Sequence, residues 1–233
     1  MINAGSLTPC FELKRILEPA LRPCRHFAGP CAGIALWDPP HGHVPRGFTG
    51  ALRRLEDIDL VLVVAEPGDP LPGESHPAEG GPRAIMADIT GYAYEQIAKQ
   101  TNLFHKNLRK ILDSCWPGMP LIHQMARTWL AESYLCSART EGGGVPAVSA
   151  RVCARDYLKP QVELLRDRAI VACGAKAQKR MGLTGVAFLS VGSVAPPGCN
   201  LQRVRESWKK IPAFVSAKRE ARLTEQVSAN PGH

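Results

Sequence analysis

The chain has 233 residues, 29 Lys and Arg against 21 Asp and Glu for a net charge of +8, and 45% hydrophobic residues. That size buries a core as one globular domain, and the basic surplus suits a polyanionic partner, because neutralised phosphates release their counterions. No run approaches the roughly 18 apolar residues of a spanning helix and Met1–Arg15 lacks the basic-then-apolar order of a secretion signal, so the expectation is a cytoplasmic monomer whose eight cysteines serve burial or a metal rather than disulfides.

Residues 1–57 are rich in Pro, Gly, Cys and His with little periodicity, and read as an irregular segment packed on a domain spanning 58–216. Asp59–Val64 is an unbroken apolar run that ends at Glu66-Pro67-Gly68, the pattern of a buried parallel strand and a sharp turn. Residues 68–90 are turn-rich and predict a long functional loop. Thr101 can cap a helix whose inner face is Leu103, Phe104, Leu108, Ile111 and Leu112, stopping at Trp116-Pro117-Gly118. A second strand follows over 129–135, and Pro160 suits the first turn of a short helix carrying Val162, Leu164 and Leu165. Ala169–Cys173 is a third strand that turns at Gly174 into a helix, and Val186–Val191 is a fourth. After a loop at 195–200, Asn200 can cap a last helix with Leu201, Val204, Trp208 and Ile211 inward and Arg203, Arg205, Lys209 and Lys210 on other faces. The tail, 217–233, is polar. Alternating strands and helices predict an α/β fold with a parallel sheet covered on both faces. Sites in such sheets form beyond the carboxyl ends of the strands, where the loops at 65–74 and 193–203 fall.

Four segments carry a resemblance when taken in order. They are Val64-Ala65-Glu66-Pro67-Gly68 after a strand, Trp129–Cys136, Cys153–Leu158 leading to Ile170–Gly174, and Ala195–Asn200. Together they make residues 59–208 resemble the uracil-DNA glycosylase superfamily, especially its iron–sulfur branch. The resemblance implies a three-layer α/β/α sandwich with a four-stranded parallel sheet. It also implies a DNA glycosylase, which takes a base out of the stack and hydrolyses its N-glycosidic bond to leave an abasic site. Glu66 stands where relatives carry the Asp or Asn that activates water, and a carboxylate there suits the oxocarbenium character that develops on the sugar. Asp69 and Glu74 share its loop, and each is either the acid itself or a solvated side chain. The loop of Pro197, Asn200, Leu201, Arg203 and Arg205 would lie on DNA, with backbone N–H groups suited to a phosphate. Leu201 is either a wedge or a core residue.

Departures from the family pattern bear on the base. Glu132 stands where uracil-reading relatives carry an Asn. An ionised carboxylate only accepts hydrogen bonds; it repels uracil O4 and suits an exocyclic amine, as Glu does cytosine N4. Ala195 replaces a His that meets uracil O2, and Gly68 leaves the C5 side open. The expected substrate is therefore a modified cytosine, as in some phage DNA, excised in antiviral defence, since excising ordinary cytosine would destroy the host genome. The alternatives are uracil in base-excision repair, with Glu132 a structural acid; a non-catalytic nucleic-acid-binding relative; and a hydrolase of free nucleosides.

Cys136 and Cys153 match two cluster ligands of the iron–sulfur branch, whose N-terminal Cys-x-x-Cys is missing here; Cys24 and Cys31 are the nearest substitutes, with Cys10 a spare. The resemblance implies a [4Fe–4S] cluster on Cys24, Cys31, Cys136 and Cys153, with zinc or no metal as alternatives. Cys115, Cys173 and Cys199 read as buried thiols. His41, His43 and His76 read as polar loop residues, and the aromatic that stacks on the base is left open, Tyr92 and Tyr94 being the nearest after the first motif.

Overall fold

The computed structural model describes residues 7–77, 79–138 and 144–229, with side chains through Glu225. Residues 1–6 of the expected N-terminal segment and 230–233 of the expected tail lie outside them. Strands β1 (Phe48–Gly50), β2 (Leu60–Val64), β3 (Thr128–Glu132), β4 (Ala169–Cys173) and β5 (Leu189–Val191) form one sheet in the order β1-β3-β2-β4-β5. β2 lies between β3 and β4, parallel to both, and β5 runs parallel to β4. β1 is antiparallel to β3, with Phe48 opposite Ala131. The sheet is thus mixed and five-stranded rather than parallel and four-stranded. The added strand is three residues long and lies in a Pro/Gly/His-rich stretch, too short for any periodicity to register.

β2 and β4 are buried along their whole length, as continuous apolar runs require. Successive side chains alternate between two cores. Val61, Val63, Trp129, Ala131, Ile170 and Ala172 enter one, while Leu60, Leu62, Leu130, Val171 and Cys173 enter the other. The helices are α1 (Phe11–Leu17), α2 (Gly81–Lys99), α3 (Leu103–Cys115), α4 (Leu121–Ala126) and α5 (Ala147–Cys153), then α6 (Lys159–Leu164), α7 (Ala175–Met181), α8 (Gln202–Ser207) and α9 (Ile211–Ala229). A π-helical turn, Ala154–Leu158, joins α5 to α6. The first core takes Leu13 and Leu17 of α1, Ile85 and Ile89 of α2, Leu158 of the π turn and Met181 of α7. The second takes Leu108, Ile111 and Leu112 of α3, Met125 of α4, and Ile211 and Val215 of α9. Each such aliphatic side chain contributes about 1.5–3 kcal/mol on full burial, so helices are held on both faces. Among the described residues no helix is long and apolar enough to cross a membrane.

Several boundaries differ from expectation, each for a local reason. The loop after β2 ends at Gly80, and α2 occupies 81–99; Gly80, Gly81 and Pro82 read as turn residues, yet Pro82 sits in the helix's first turn, where its missing N–H costs nothing. Asn102, not Thr101, caps α3: its Oδ1 accepts from His105 N at 3.0 Å. Thr101 instead closes α2, donating to Gln96 O at 3.0 Å. β3 stops at Glu132 because Ser133 N and Tyr134 N turn to Val64 O and Ala65 O, at 2.8 and 3.1 Å. β5 starts at Leu189, not Val186. Asn200 ends a 3-10 turn and caps nothing; α8 starts at Gln202 after an extended Leu201. The segment before residue 57 carries α1 and β1, and Cys10 N bonds to Ala51 O at 2.8 Å. The tail beyond 217 is helical through Ala229. It is docked by Arg222, which donates to Ile58 O at 2.9 Å and to Asp59 Oδ1 at 2.6 Å.

Candidate active site

A cavity of about 420 Å³ opens at the carboxyl ends of β2 and β3, the position where open α/β sheets bind ligands and a size suited to a small heterocycle. Of the residues expected in the site, Glu66, Gly68, Asp69, Glu74, Glu132 and Ala195 line it. Glu66 sits in the turn after β2. One of its carboxylate oxygens is bonded by Lys176, and the other accepts from Arg180 Nη1 at 2.6 Å. Arg180 is buried and also donates to Ala65 O at 2.9 Å and Ser133 Oγ at 3.1 Å, so it fixes the turn as well as the acid.

Glu132 closes β3. The residue is partly exposed, yet its Oε2 is sealed from solvent and has no hydrogen-bond partner among the described residues. Burial pushes its carboxyl up to about 8; Arg46 and Arg180 oppose this, and the charge of Glu66 adds to it. Gly47 lies against it so closely that a Cβ there would stand 2.6 Å from Glu132 Cβ.

A charged cluster forms another wall. Glu74 accepts from Leu71 N at 2.8 Å, pairs with Arg46 Nε at 3.3 Å and meets His76 Nε2 at 3.3 Å; His76 Nδ1 reaches Asp88 Oδ2 at 2.6 Å. Burial works against both charges, but the His76 contact and Arg46 pull the Glu74 carboxyl below its ordinary value, and Glu74 and Asp88 raise the His76 imidazole above its own. Glu74 is therefore neither a free acid nor a solvated one, and His76, its side chain fully covered, is not a solvated loop residue. Arg46 also donates to Gly68 O at 2.6 Å and Ser137 Oγ at 2.9 Å, pinning the turn beside Glu66.

Six buried side-chain polar atoms lack a hydrogen-bond partner among the described residues, and four belong to residues lining this cavity: Arg46 Nε, Thr49 Oγ1, His105 Nδ1 and Glu132 Oε2. Native interiors leave few such atoms, so their concentration here marks a place for a polar occupant. His105 is driven down to about 4 by burial, against the pull of Glu74, and its ring is neutral near pH 7. Tyr92 and Phe104 line the cavity, whereas Tyr94 packs into the second core.

Sequence reasoning missed Arg46 and Thr49, from the short β1 segment, and His105 of α3, which share no motif. It also missed Lys176 and Arg180, although a basic pair four residues apart, just after the Gly174 turn, places both on one face of α7. Pro197, Asn200, Leu201, Arg203 and Arg205 stand outside the cavity, on the loop and helix beside Ala195 and Pro196. Leu201 is 49% exposed and so is not a core residue. Arg205 donates to Cys199 O at 3.0 Å and Asn200 O at 2.9 Å, which closes that loop. Arg203 is exposed. Asp69 is exposed at the rim.

Cys24, Cys31, Cys136 and Cys153 line one small cavity together with Tyr134 and Tyr157. All four are buried free thiols. Cys24 Sγ lies 3.2 Å from the Tyr157 hydroxyl, and Tyr134 donates to Cys31 Sγ at 3.4 Å. Burial raises the Cys31 thiol, raises that of Cys136 strongly and pushes that of Cys153 up to about 12. Among the described residues no group of His, Cys, Asp or Glu side chains converges tightly enough to hold a single ion. The 24–31 segment is tied down by Asp156, which meets Arg25 at 2.5 Å and His26 at 2.7 Å. Cys10 lies apart from this set, Cys173 and Cys199 are buried, and Cys115 is only partly so. No protein-family model matches the chain, and no curated protein matches its sequence.

Proposed function

We propose that the protein is a DNA N-glycosylase with a uracil-DNA glycosylase-like three-layer sandwich, and that it excises a modified cytosine-type base. The observation that carries this reading is the base-sized cavity beyond the parallel strands, with Glu66 in its wall and three polar atoms around it, Thr49 Oγ1, His105 Nδ1 and Glu132 Oε2, that no described residue bonds. In this reading an everted nucleotide enters the cavity, and Tyr92 or Phe104 packs on the base. The Glu66 carboxylate faces C1′, stabilises positive charge as the glycosidic bond lengthens, and orients the attacking water. Lys176, half exposed, and Arg203 are placed to meet phosphates, and the exposed Leu201 is the wedge.

The C5 side supports a substituted base. A Cβ at Gly68 would meet nothing within 4 Å. A second, open cavity of about 400 Å³ is lined by Asp69, Leu71 and Glu74, which also line the first, and by His41 and His43. Uracil is the second candidate, favoured by the resemblance of the four segments to those of uracil-excising enzymes.

The cysteine set fits a [4Fe–4S] cluster in donor chemistry. Cys24, Cys31, Cys136 and Cys153 would hold it, four thiols that line one cavity being the usual donor set for such a cluster. Such a cluster would supply cross-linking rather than catalysis, fastening the 24–31 segment to the helix at Cys153.

Single-turnover assays on oligonucleotides carrying uracil, cytosine, hydroxymethylcytosine or glucosylated hydroxymethylcytosine test the reading, with abasic sites scored as alkali-cleaved strands. The expected outcome is cleavage at a modified cytosine, with Glu66→Gln slowing it about 10²–10⁴-fold. No abasic site on any member of the panel would sink the glycosylase reading.

A further inference from the structure

We infer that Glu132 is the general acid of this reaction and delivers its proton to a ring nitrogen of the departing base, an inference that rests on the glycosylase reading above. The two acids of the cavity wall live in opposite surroundings. Glu66 is in contact with two cations, Lys176 and Arg180. Glu132 has no hydrogen-bonded cation, its Oε2 is sealed and unpartnered, and Gly47 closes over its stem. An isolated charge is costly in such a place, and a proton removes it. Two carboxyl groups driven apart in this way divide acid and base roles between them.

The charged neighbours that act on Glu132 come from three elements. Arg46, just before β1, and Arg180, on α7, favour its ionised form; Glu66, in the turn after β2, disfavours it; burial outweighs both arginines. Elsewhere around the cavity, Glu74 and His76 are paired with each other, His105 is neutral and Asp69 is solvent-exposed. Near neutral pH the side chain therefore presents an O–H donor and a C=O acceptor instead of two acceptors. That edge complements cytosine, whose N3 accepts and whose N4 amine donates. Uracil carries a hydrogen on N3 and offers no lone pair there.

The step balances as follows. The C1′–N1 bond breaks and its electron pair goes to the pyrimidine ring. The Glu132 O–H bond breaks, and the proton binds N3, so the base leaves neutral. Water oxygen bonds to C1′, and its surplus proton passes through Glu66 to solvent. Glu132 recovers a proton from solvent when the base departs.

The test is the pH dependence of the single-turnover rate for the full chain, Glu132→Gln and Glu132→Asp. It uses one oligonucleotide with hydroxymethylcytosine and one with a cytosine bearing an electron-withdrawing C5 group, whose departure needs less protonation. The unsubstituted protein is expected to lose rate as pH rises through about 8. Glu132→Gln keeps a donor and an acceptor but has no proton to give. It should react at least about 100-fold more slowly at neutral pH, keep its apparent affinity, lose the alkaline fall, and lose less rate on the better leaving group. Glu132→Asp, still an acid, should keep the fall at a lower rate. The inference is overturned if Glu132→Gln reacts with an unchanged rate and profile, if both bases suffer equally, or if, where Glu132→Gln does not fold, Glu132→Asp shows no alkaline fall. Failure of the unsubstituted protein on every base overturns this inference and the glycosylase reading together; activity with an unaltered Glu132→Gln overturns this inference alone.

Discussion

The two ends of the sheet each bury an acid, and they treat it in opposite ways. At the amino end, Asp59 is covered and both its oxygens are occupied, by Arg127 Nη1 at 2.6 Å and Arg222 Nη2 at 2.6 Å. At the carboxyl end, Glu132 is partly exposed, and the oxygen it does bury, Oε2, is bonded by no described residue. The same chemistry that makes a buried carboxylate demand partners is met at one end and left unmet at the other. A fold can satisfy a buried acid where only cohesion is at stake, so an unsatisfied one beside a cavity is where the proposed chemistry has a group to draw on.

Three substitutions or titrations sharpen or break this contrast. A large loss of stability, present at any pH where the acid is ionised, is expected at Asp59. Asp59→Asn leaves two guanidiniums facing a neutral amide and should cost about 3 kcal/mol, the lower part of the range for breaking a buried pair because Arg127 is 33% exposed. Urea denaturation measures it, with the rate per folded molecule unchanged; a stability equal to that of the unsubstituted protein would erase the difference between the two ends.

The next effect is the pH dependence set by Glu132. Its folded carboxyl titrates at about 8 against an ordinary 4.5, so the folded chain keeps a proton that the unfolded chain has released. Stability from this group is whole below the ordinary value and falls as pH rises from there to about 8, by up to about 1.4 kcal/mol per unit. Glu132→Gln removes that slope. Its denaturation midpoint should gain on that of the unsubstituted protein steadily between pH 5 and pH 8, and parallel midpoints across that window would contradict a neutral Glu132.

The smallest effect is at the exposed Arg203. Arg203→Ala should weaken DNA binding evenly across sequences and reduce the slope of log affinity against log salt by about one, as titration at several salt concentrations would reveal.

Legibility in the sequence followed the range of the interaction. β2 and β4 were readable because burial on both faces leaves an unbroken apolar run, and α3 because Leu108, Ile111 and Leu112 repeat at helical spacing. β1 was hidden by its length, and α2 behind Gly80, Gly81 and Pro82. Within the cavity, Glu66 and Glu132 stood out by position beside motifs. Arg46, Thr49 and His105 did not, because the first two come from the short β1 segment and His105 from α3, and only tertiary packing collects them. The state of the Glu132 carboxyl was the least readable feature. Reading it as an acceptor alone assumed an ionised group, and whether it is ionised depends on how deeply it is buried, which no short stretch of residues encodes.

The clasp between α9 and the sheet has a bearing on how the chain is made. Asp59 is synthesised early, but one of the two guanidiniums that neutralise it is at residue 222. A nascent chain still short of that point has Arg127 but not Arg222 to offer, so the amino end of the sheet is not finished until residue 222 has been made. Stalled or prematurely ended polypeptides would carry a half-compensated acid under β2, a defect for proteolytic quality control to act on.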